Sequence, residues 1–87
     1  YGLGLLHQVH DDNALEQAAF GWIETLAKGP TLAYAHMKKA LLASGLNGLS
    51  TQLDVESSLQ VLCQGTADHK EAAKAFVEKR RPDFQGH

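Results

Sequence analysis

The sequence has few of the residues that cross-link a chain, anchor it in a membrane or give it charge of one sign. Its single cysteine, Cys63, rules out an internal disulfide framework. No apolar run approaches the length of a membrane span, and no charged-then-apolar leader is present. Residues 1–45 carry four acidic against three basic residues and residues 46–87 carry six against five, which leaves a net charge of −2. These features argue against nucleic acid or a membrane as the partner and favour a reducing, cytoplasmic location.

Assembled catalytic and metal-binding motifs are missing as well. The five histidines form no HExxH arrangement, and Cys63 has no second cysteine with which to hold zinc. No base near Cys63 in the sequence would activate it as a nucleophile, so we interpret it as a small buried hydrophobe. His7 and His10 could share a metal, but two ligands do not define a site, and surface histidines are the simpler interpretation. We therefore predict no catalytic and no metal-binding residue in this chain.

Helical periodicity, interrupted by glycine and proline, dominates what is present. It predicts four helices, over residues 14–28, 30–44, 49–64 and 69–80, joined by short turns. The predicted fold class is therefore all-α.

Local signals mark the ends of these helices. Asp12 or Asn13 can cap the first helix, and Asn13 with Glu16 has the spacing of a capping box, as Asp68 has with Glu71 before the last helix.

Glycine and proline supply the remaining end signals. Gly29 is predicted to close the first helix in the left-handed conformation, and Pro30 to open the second. Pro82 is predicted to stop the last helix and to leave residues 83–87 as a tail.

The second and third predicted helices carry more apolar surface than so small a domain covers by itself. Apolar residues surround the second helix on nearly every side and span close to half the circumference of the third. Gln52, Glu56 and Gln60 form a polar stripe inside that arc, which is either a buried hydrogen-bonding seam against a partner or an exposed strip between two contacts. The pattern predicts faces that another body covers.

The strongest pattern lies at the end of the chain, where residues 66–84 are TADHKEAAKAFVEKRRPDF. This run resembles the ending of crotonase-superfamily (enoyl-CoA hydratase/isomerase) enzymes: Thr or Ser, then Asp-x-x-Glu-Gly, then Ala-Phe-x-Glu-Lys-Arg-x-Pro-x-Phe. Weaker resemblances to the same family precede it in order, at residues 4–9, 26–30, 37–41 and 49–56. Ala72 stands where the family usually has Gly, and Gly48 stands where a Ser or Asp cap is usual.

The resemblance implies that residues 1–87 are a single C-terminal helical domain for subunit association and for covering the active site. Since the chain lacks an initiating methionine, we expect it to be a piece of a longer enzyme that acts on acyl-CoA thioesters. The family's catalytic spiral core, with its oxyanion hole and acidic residues, is absent from these residues, so we expect this part alone to be inactive. The implied partners are that core, sister subunits in a trimer or hexamer, and acyl-CoA, and no resident cofactor is implied because the substrate carries the coenzyme A.

The family's CoA-contacting Phe and Lys correspond to Phe76 and Lys79, three apart on the last predicted helix and so expected on one face. An aromatic ring can pack beside adenine or pantetheine while an ammonium meets phosphate. The simpler readings are a core Phe and a solvated Lys, and the surrounding basic stretch, residues 70–81, could equally compensate the helix dipole. The competing function is an autonomous helical module that binds a partner helix or an acyl chain without catalysis; a small independent enzyme is disfavoured.

Overall fold

The computed structural model describes all 87 residues and contains four α-helices and no β-strand, which confirms the all-α prediction. The helices are α1 (Asp12–Ala27), α2 (Thr31–Ser44), α3 (Leu49–Gln64) and α4 (Ala67–Glu78). Helix α2 packs against α3 and α3 against α4, whereas α1 packs on no other helix to a similar extent. None of the four is both long and apolar enough to cross a bilayer.

The N-termini of α1 and α4 differ from the predicted capping boxes. Asp11 is the N-cap of α1 and Asn13 already lies inside the helix, so the box predicted from Asn13 is wrong. Thr66 is the N-cap of α4, and its hydroxyl accepts the N–H of His69 at 3.0 Å. Asp68 stands two residues further on, inside the first turn, and its predicted box is therefore wrong too. In both cases the cap is the earlier residue, because that residue has the extended backbone that a cap requires.

Gly29 lies close to the Tyr34 side chain and does not have a left-handed backbone. Lys28 ends α1 in the right-handed conformation and Gly29 has no positive φ, so the predicted left-handed closure is wrong. The ring of Tyr34 lies against this position, and a Cβ on Gly29 would overlap the Tyr34 hydroxyl and come within 2.7 Å of two ring carbons. Pro30 is the N-cap of α2, one position before the helix begins.

Helix α4 ends in a Schellman motif whose left-handed residue is a lysine. Lys79 has φ 53° and ψ 41°, and it is the one residue other than glycine with positive φ. Its N–H donates to the carbonyl of Phe76 at 3.2 Å, and the N–H of Arg80 donates to the carbonyl of Ala75 at 3.0 Å. The helix therefore ends before Pro82, and Pro82 is not what stops it.

The four helices form an open, flat arrangement. Its extents are 43 × 38 × 19 Å and its radius of gyration is 16.4 Å, against about 12 Å for a compact domain of this length. Only three of the 87 residues are buried, namely Leu59, Asp68 and Ala75. The accessible surface is 7273 Å², whereas a folded monomer of 9.4 kDa exposes about 5,000 Å². The structure thus matches the prediction of apolar faces that the helices do not cover among themselves.

Candidate functional site

A buried carboxylate in the first turn of α4 holds the tail of the chain, residues 82–87. Asp68 is 4% exposed, and its two oxygens accept the N–H groups of Gln85 at 2.7 Å and Gly86 at 2.9 Å. The N–H of Asp68 donates to the carbonyl of His87 at 2.9 Å. Gly86 has φ 83°, a conformation that glycine adopts without strain. The tail therefore runs back along α4 toward the N-terminus of that helix.

A second carboxylate, one turn further along α4, holds the start of the same tail. Glu71 accepts the N–H of Asp83 at 3.0 Å and forms a bidentate pair with the Arg80 guanidinium, in which Nη2 lies 3.0 Å from Oε2. Arg80 Nε also donates to Glu78 at 2.6 Å. The Arg80 guanidinium and then the Asp83 N–H lower the pKa of Glu71 to about 2. Glu71 and Glu78 in turn raise the pKa of Arg80.

These contacts give the terminal sequence motif a structural meaning that the sequence did not reveal. The Asp-x-x-Glu spacing puts Asp68 and Glu71 on one face of α4, where both accept tail N–H groups and Glu71 also binds Arg80. The predicted capping box had assigned the same two carboxylates to the helix N-terminus. The spacing was the available signal, but the acceptors' partners lie up to 18 residues away in the sequence. This half of the motif therefore holds the tail against α4.

Phe76, the predicted CoA-contacting aromatic residue, lies on the surface. Its side chain is 84% exposed, and that of its neighbour Val77 is 79% exposed. The ring takes no part in a core, which removes the simpler interpretation of Phe76 as a core residue of these four helices. An aromatic ring that is so exposed is available to pack against a ligand or another part of a protein.

Lys79, the predicted CoA-contacting cation, lies one residue beyond the end of α4. Because its backbone is left-handed, the helical spacing that was expected to put Lys79 on the face of Phe76 does not extend to it. The two residues are instead joined by the Lys79 N–H and the Phe76 carbonyl. Of the basic residues on α4 and the following segment only Arg80 forms an ion pair, so the ammonium of Lys79 has no partner within these 87 residues.

An apolar groove of about 400 Å³ lies between α2 and α3 and is lined by residues of both helices. Met37 and Leu41 of α2 lie on one side, with exposed fractions of 58% and 73%. Glu56 and Gln60 of the predicted polar stripe lie on the other side and are exposed, whereas Gln52 bridges the helices, donating from Nε2 to the Ala40 carbonyl at 3.0 Å. Within these helices Gln52 bonds to α2, whereas Glu56 and Gln60 lie on an exposed strip, and a seam against a partner stays a prediction.

His7 and His10 lie beside α1, whereas Cys63 lies on α3. His7 stacks on Trp22 with ring centroids 4.6 Å apart, whereas His10 contacts the Gln8 side chain at 3.0 Å. Cys63 is half-buried between the α2–α3 groove and a smaller cavity beside Phe84. No group of three or more His, Cys, Asp or Glu side chains is arranged to hold a metal ion. His36 and Cys63 both line the α2–α3 groove, and His7 and His10 both line a small cavity beside Trp22.

Comparison with known proteins decides the family. The family model described as enoyl-CoA hydratase/isomerase matches residues 2–87. The chain belongs to the enoyl-CoA hydratase/isomerase family. It is 39% identical over 83 residues to the 1,2-epoxyphenylacetyl-CoA isomerase of Escherichia coli, which covers 95% of this chain and 32% of that protein. It is 38% identical over 84 residues to a probable enoyl-CoA hydratase of Rhodobacter capsulatus, covering 97% of this chain and 33% of that protein.

A solved structure of this family has the same helical arrangement. An enoyl-CoA hydratase from Geobacillus kaustophilus superposes with a TM-score of 0.89 at 28% identity, over 99% of this chain and 33% of its own. The chain therefore spans about a third of the length of the enoyl-CoA hydratase/isomerase family members that it matches. The open shape of the four helices is thus the shape that such a segment has within a larger family enzyme.

Proposed function

We propose that this chain is the C-terminal helical segment of an enzyme of the enoyl-CoA hydratase/isomerase family that acts on acyl-CoA thioesters. The segment covers the active site, contributes Phe76 and Lys79 to CoA binding and joins subunits into a trimer or hexamer. The acid/base residues and the oxyanion hole lie in a catalytic core outside residues 1–87, so the segment alone is inactive. The enzyme is cytoplasmic and needs no resident cofactor, because the substrate carries the coenzyme A.

The single observation that carries the proposal is the amount of apolar surface that these helices leave open. The accessible surface of 7273 Å² exceeds the value for a compact monomer by roughly 2,300 Å². An excess of that size on one chain alone is as large as an obligate interface, which typically buries more than about 2,000 Å² summed over both partners. Leu59 and Ala75 are the only buried apolar residues, and two such residues cannot offset the conformational entropy of ordering four helices. A larger body must supply the missing contacts.

The backbone of Lys79 supports its assignment to the CoA site. Glycine is the usual residue at the left-handed position of a Schellman motif, because a Cβ there costs roughly 1 kcal/mol. Lys79 holds this position although its ammonium makes no ion pair within the chain. A residue kept in an unfavourable conformation without an internal partner is better explained by an external one. Phosphate oxygen of coenzyme A is an external partner whose charge suits an ammonium.

Replacing Lys79 in the full-length enzyme tests this assignment. Lys79→Ala should raise KM for an acyl-CoA substrate more than it lowers kcat, because the lost contact lies on the carrier and not at the reacting atoms. Lys79→Gly should have the same effect on KM while relieving the backbone, so that unfolding cannot explain the result. Lys70→Ala removes an equal charge near the other end of α4 and serves as the control. An unchanged KM in both Lys79 variants would remove this residue from the site.

The association role is tested separately by sedimentation. The full-length enzyme should sediment as a trimer or hexamer, and residues 1–87 alone should self-associate or be partly unfolded, without turnover. An autonomous helical interaction module predicts the opposite, a rigid monomer of residues 1–87 without affinity for acyl-CoA. That outcome would replace the proposed function by the competing one.

A further inference from the structure

The backbone around Lys79 is held on both sides by one side chain, that of Arg80. Through Nε this guanidinium binds the Glu78 carboxylate, which precedes Lys79, and through Nη1 it donates to the carbonyl of Arg81, which follows. Its remaining bonds go to both oxygens of Glu71, nine residues earlier on α4. The residues flanking Lys79 are therefore tied to each other and to the body of the helix.

The ammonium of Lys79 itself is left free by this arrangement. Every ion pair near the end of α4 is made by Arg80, and Lys79 contributes only its backbone N–H. A left-handed lysine is a conformation that an unsupported helix end would give up easily, since glycine alone adopts it without strain. The Arg80 contacts supply the support that the lysine side chain does not.

We propose that the Glu71–Arg80 pair is a positioning device for Lys79, which fixes the backbone from which the ammonium extends before the phosphate of coenzyme A arrives. The inference rests on the proposed CoA role of Lys79. A helix end that is already ordered loses less conformational freedom when Lys79 binds than a frayed one, so the pair increases affinity for the CoA ester without touching it. Glu71 and Arg80 are positioning residues in this sense and not catalytic ones.

The competing explanation is that the pair only anchors the tail. Glu71 does accept the Asp83 N–H, but Asp68 holds the tail independently through Gln85 and Gly86. Asp68 therefore offers a matched control, because its replacement loosens the tail at the opposite end of α4 while leaving the Arg80 contacts in place.

The experiment is a kinetic double-mutant cycle in the full-length enzyme with an acyl-CoA substrate. The variants are Arg80→Lys, Glu71→Gln, Lys79→Ala, the double variant of the first and third, and Asp68→Asn. Arg80→Lys keeps the charge but loses the planar fork that reaches several acceptors at once. For each variant KM and kcat are measured at low and high ionic strength, because salt screens contact between an exposed ammonium and a phosphate.

If Arg80 and Glu71 position Lys79, Arg80→Lys and Glu71→Gln should each raise KM about three- to tenfold, which is more than they lower kcat. Both variants should also make KM depend less on salt concentration. Adding Arg80→Lys to Lys79→Ala then causes no further rise. Asp68→Asn lowers thermal stability without these changes.

Two results would overturn the inference and are distinguishable. If Lys79→Ala raises KM but Arg80→Lys leaves KM unchanged, or acts additively with it, the pair has no positioning role and the proposed CoA site stands. If Lys79→Ala itself leaves KM unchanged, the CoA role of Lys79 and the inference built on it both fall.

Discussion

Replacing the buried carboxylate of Asp68 should release the tail from α4. Each Asp68 oxygen accepts one backbone N–H, from Gln85 at 2.7 Å and from Gly86 at 2.9 Å. In Asp68→Asn the side chain keeps one oxygen, which can still accept one of the two tail N–H groups. The amide NH2 then faces the other tail N–H, so one hydrogen bond to a charged group is lost. Such a bond contributes about 1.5–3 kcal/mol. We expect the loss of stability to lie in the lower part of that range, because the freed tail can turn its N–H groups toward water.

Amide hydrogen exchange in the full-length protein measures this change at the residues concerned. A loss of about 2 kcal/mol corresponds to about a 30-fold larger open population, and the amides of Gln85 and Gly86 should exchange faster by that factor. The Asp83 amide should change less, because Glu71 holds it separately. Asp54→Asn, at an exposed position on α3, is the control. Unchanged exchange at Gln85 and Gly86 would show that Asp68 does not hold the tail.

Three further predictions concern acid stability, a close approach and an exposed face. The Glu71 carboxyl should titrate near pH 2 by NMR. Because its pKa is lowered in the folded state, Glu71 stabilises the fold fully above its ordinary pKa near 4.5, and this stabilisation fades as the pH falls toward 2. A titration midpoint near 4.5 would contradict the Arg80 pairing. Gly29→Ala should lower stability in thermal unfolding by about 1–2 kcal/mol through its overlap with Tyr34, and a Tyr34→Ala background should abolish that loss. Leu41→Glu, at a position 73% exposed, should weaken assembly of the full-length enzyme in sedimentation while changing the helicity of residues 1–87 little; normal assembly would show that this face is not an interface.

The helices and their surplus apolar surface were predictable because both depend on local order in the sequence. A period of 3.6 residues interrupted by glycine placed α3 at its observed bounds and the other helices within about two residues of theirs. The all-round apolar character of α2 predicted that Leu41 and Leu42 would lack cover, and both are more than 70% exposed. Family membership was carried by the order of residues 66–84, which the comparisons confirm.

The helix ends were less predictable, because several residues competed for each role. Asp68 has the spacing of a cap, but Thr66 has the extended backbone and the reach to the His69 N–H. At the end of α1, Gly29 has the residue type of a left-handed position but no positive φ, whereas α4 ends with a left-handed lysine, Lys79, where the sequence offers no glycine. Local propensity differs by only about 1 kcal/mol between such candidates, and a few tertiary hydrogen bonds outweigh it.

What the sequence by itself determined is the number of helices and their apolar faces, since these follow from the spacing of residues along one helix. The family followed from the resemblance of residues 66–84 to the ending of known enzymes, which the comparisons confirm. Only the tertiary structure decided what Asp68, Glu71 and Arg80 do. The tail groups that Asp68 and Glu71 bind lie 12 to 18 residues away in the sequence, across a reversal of the chain, and no periodicity encodes the path of that reversal. The tail has to fold back along α4 before its N–H groups reach the two carboxylates, and the chain leaves the helix through the left-handed backbone of Lys79.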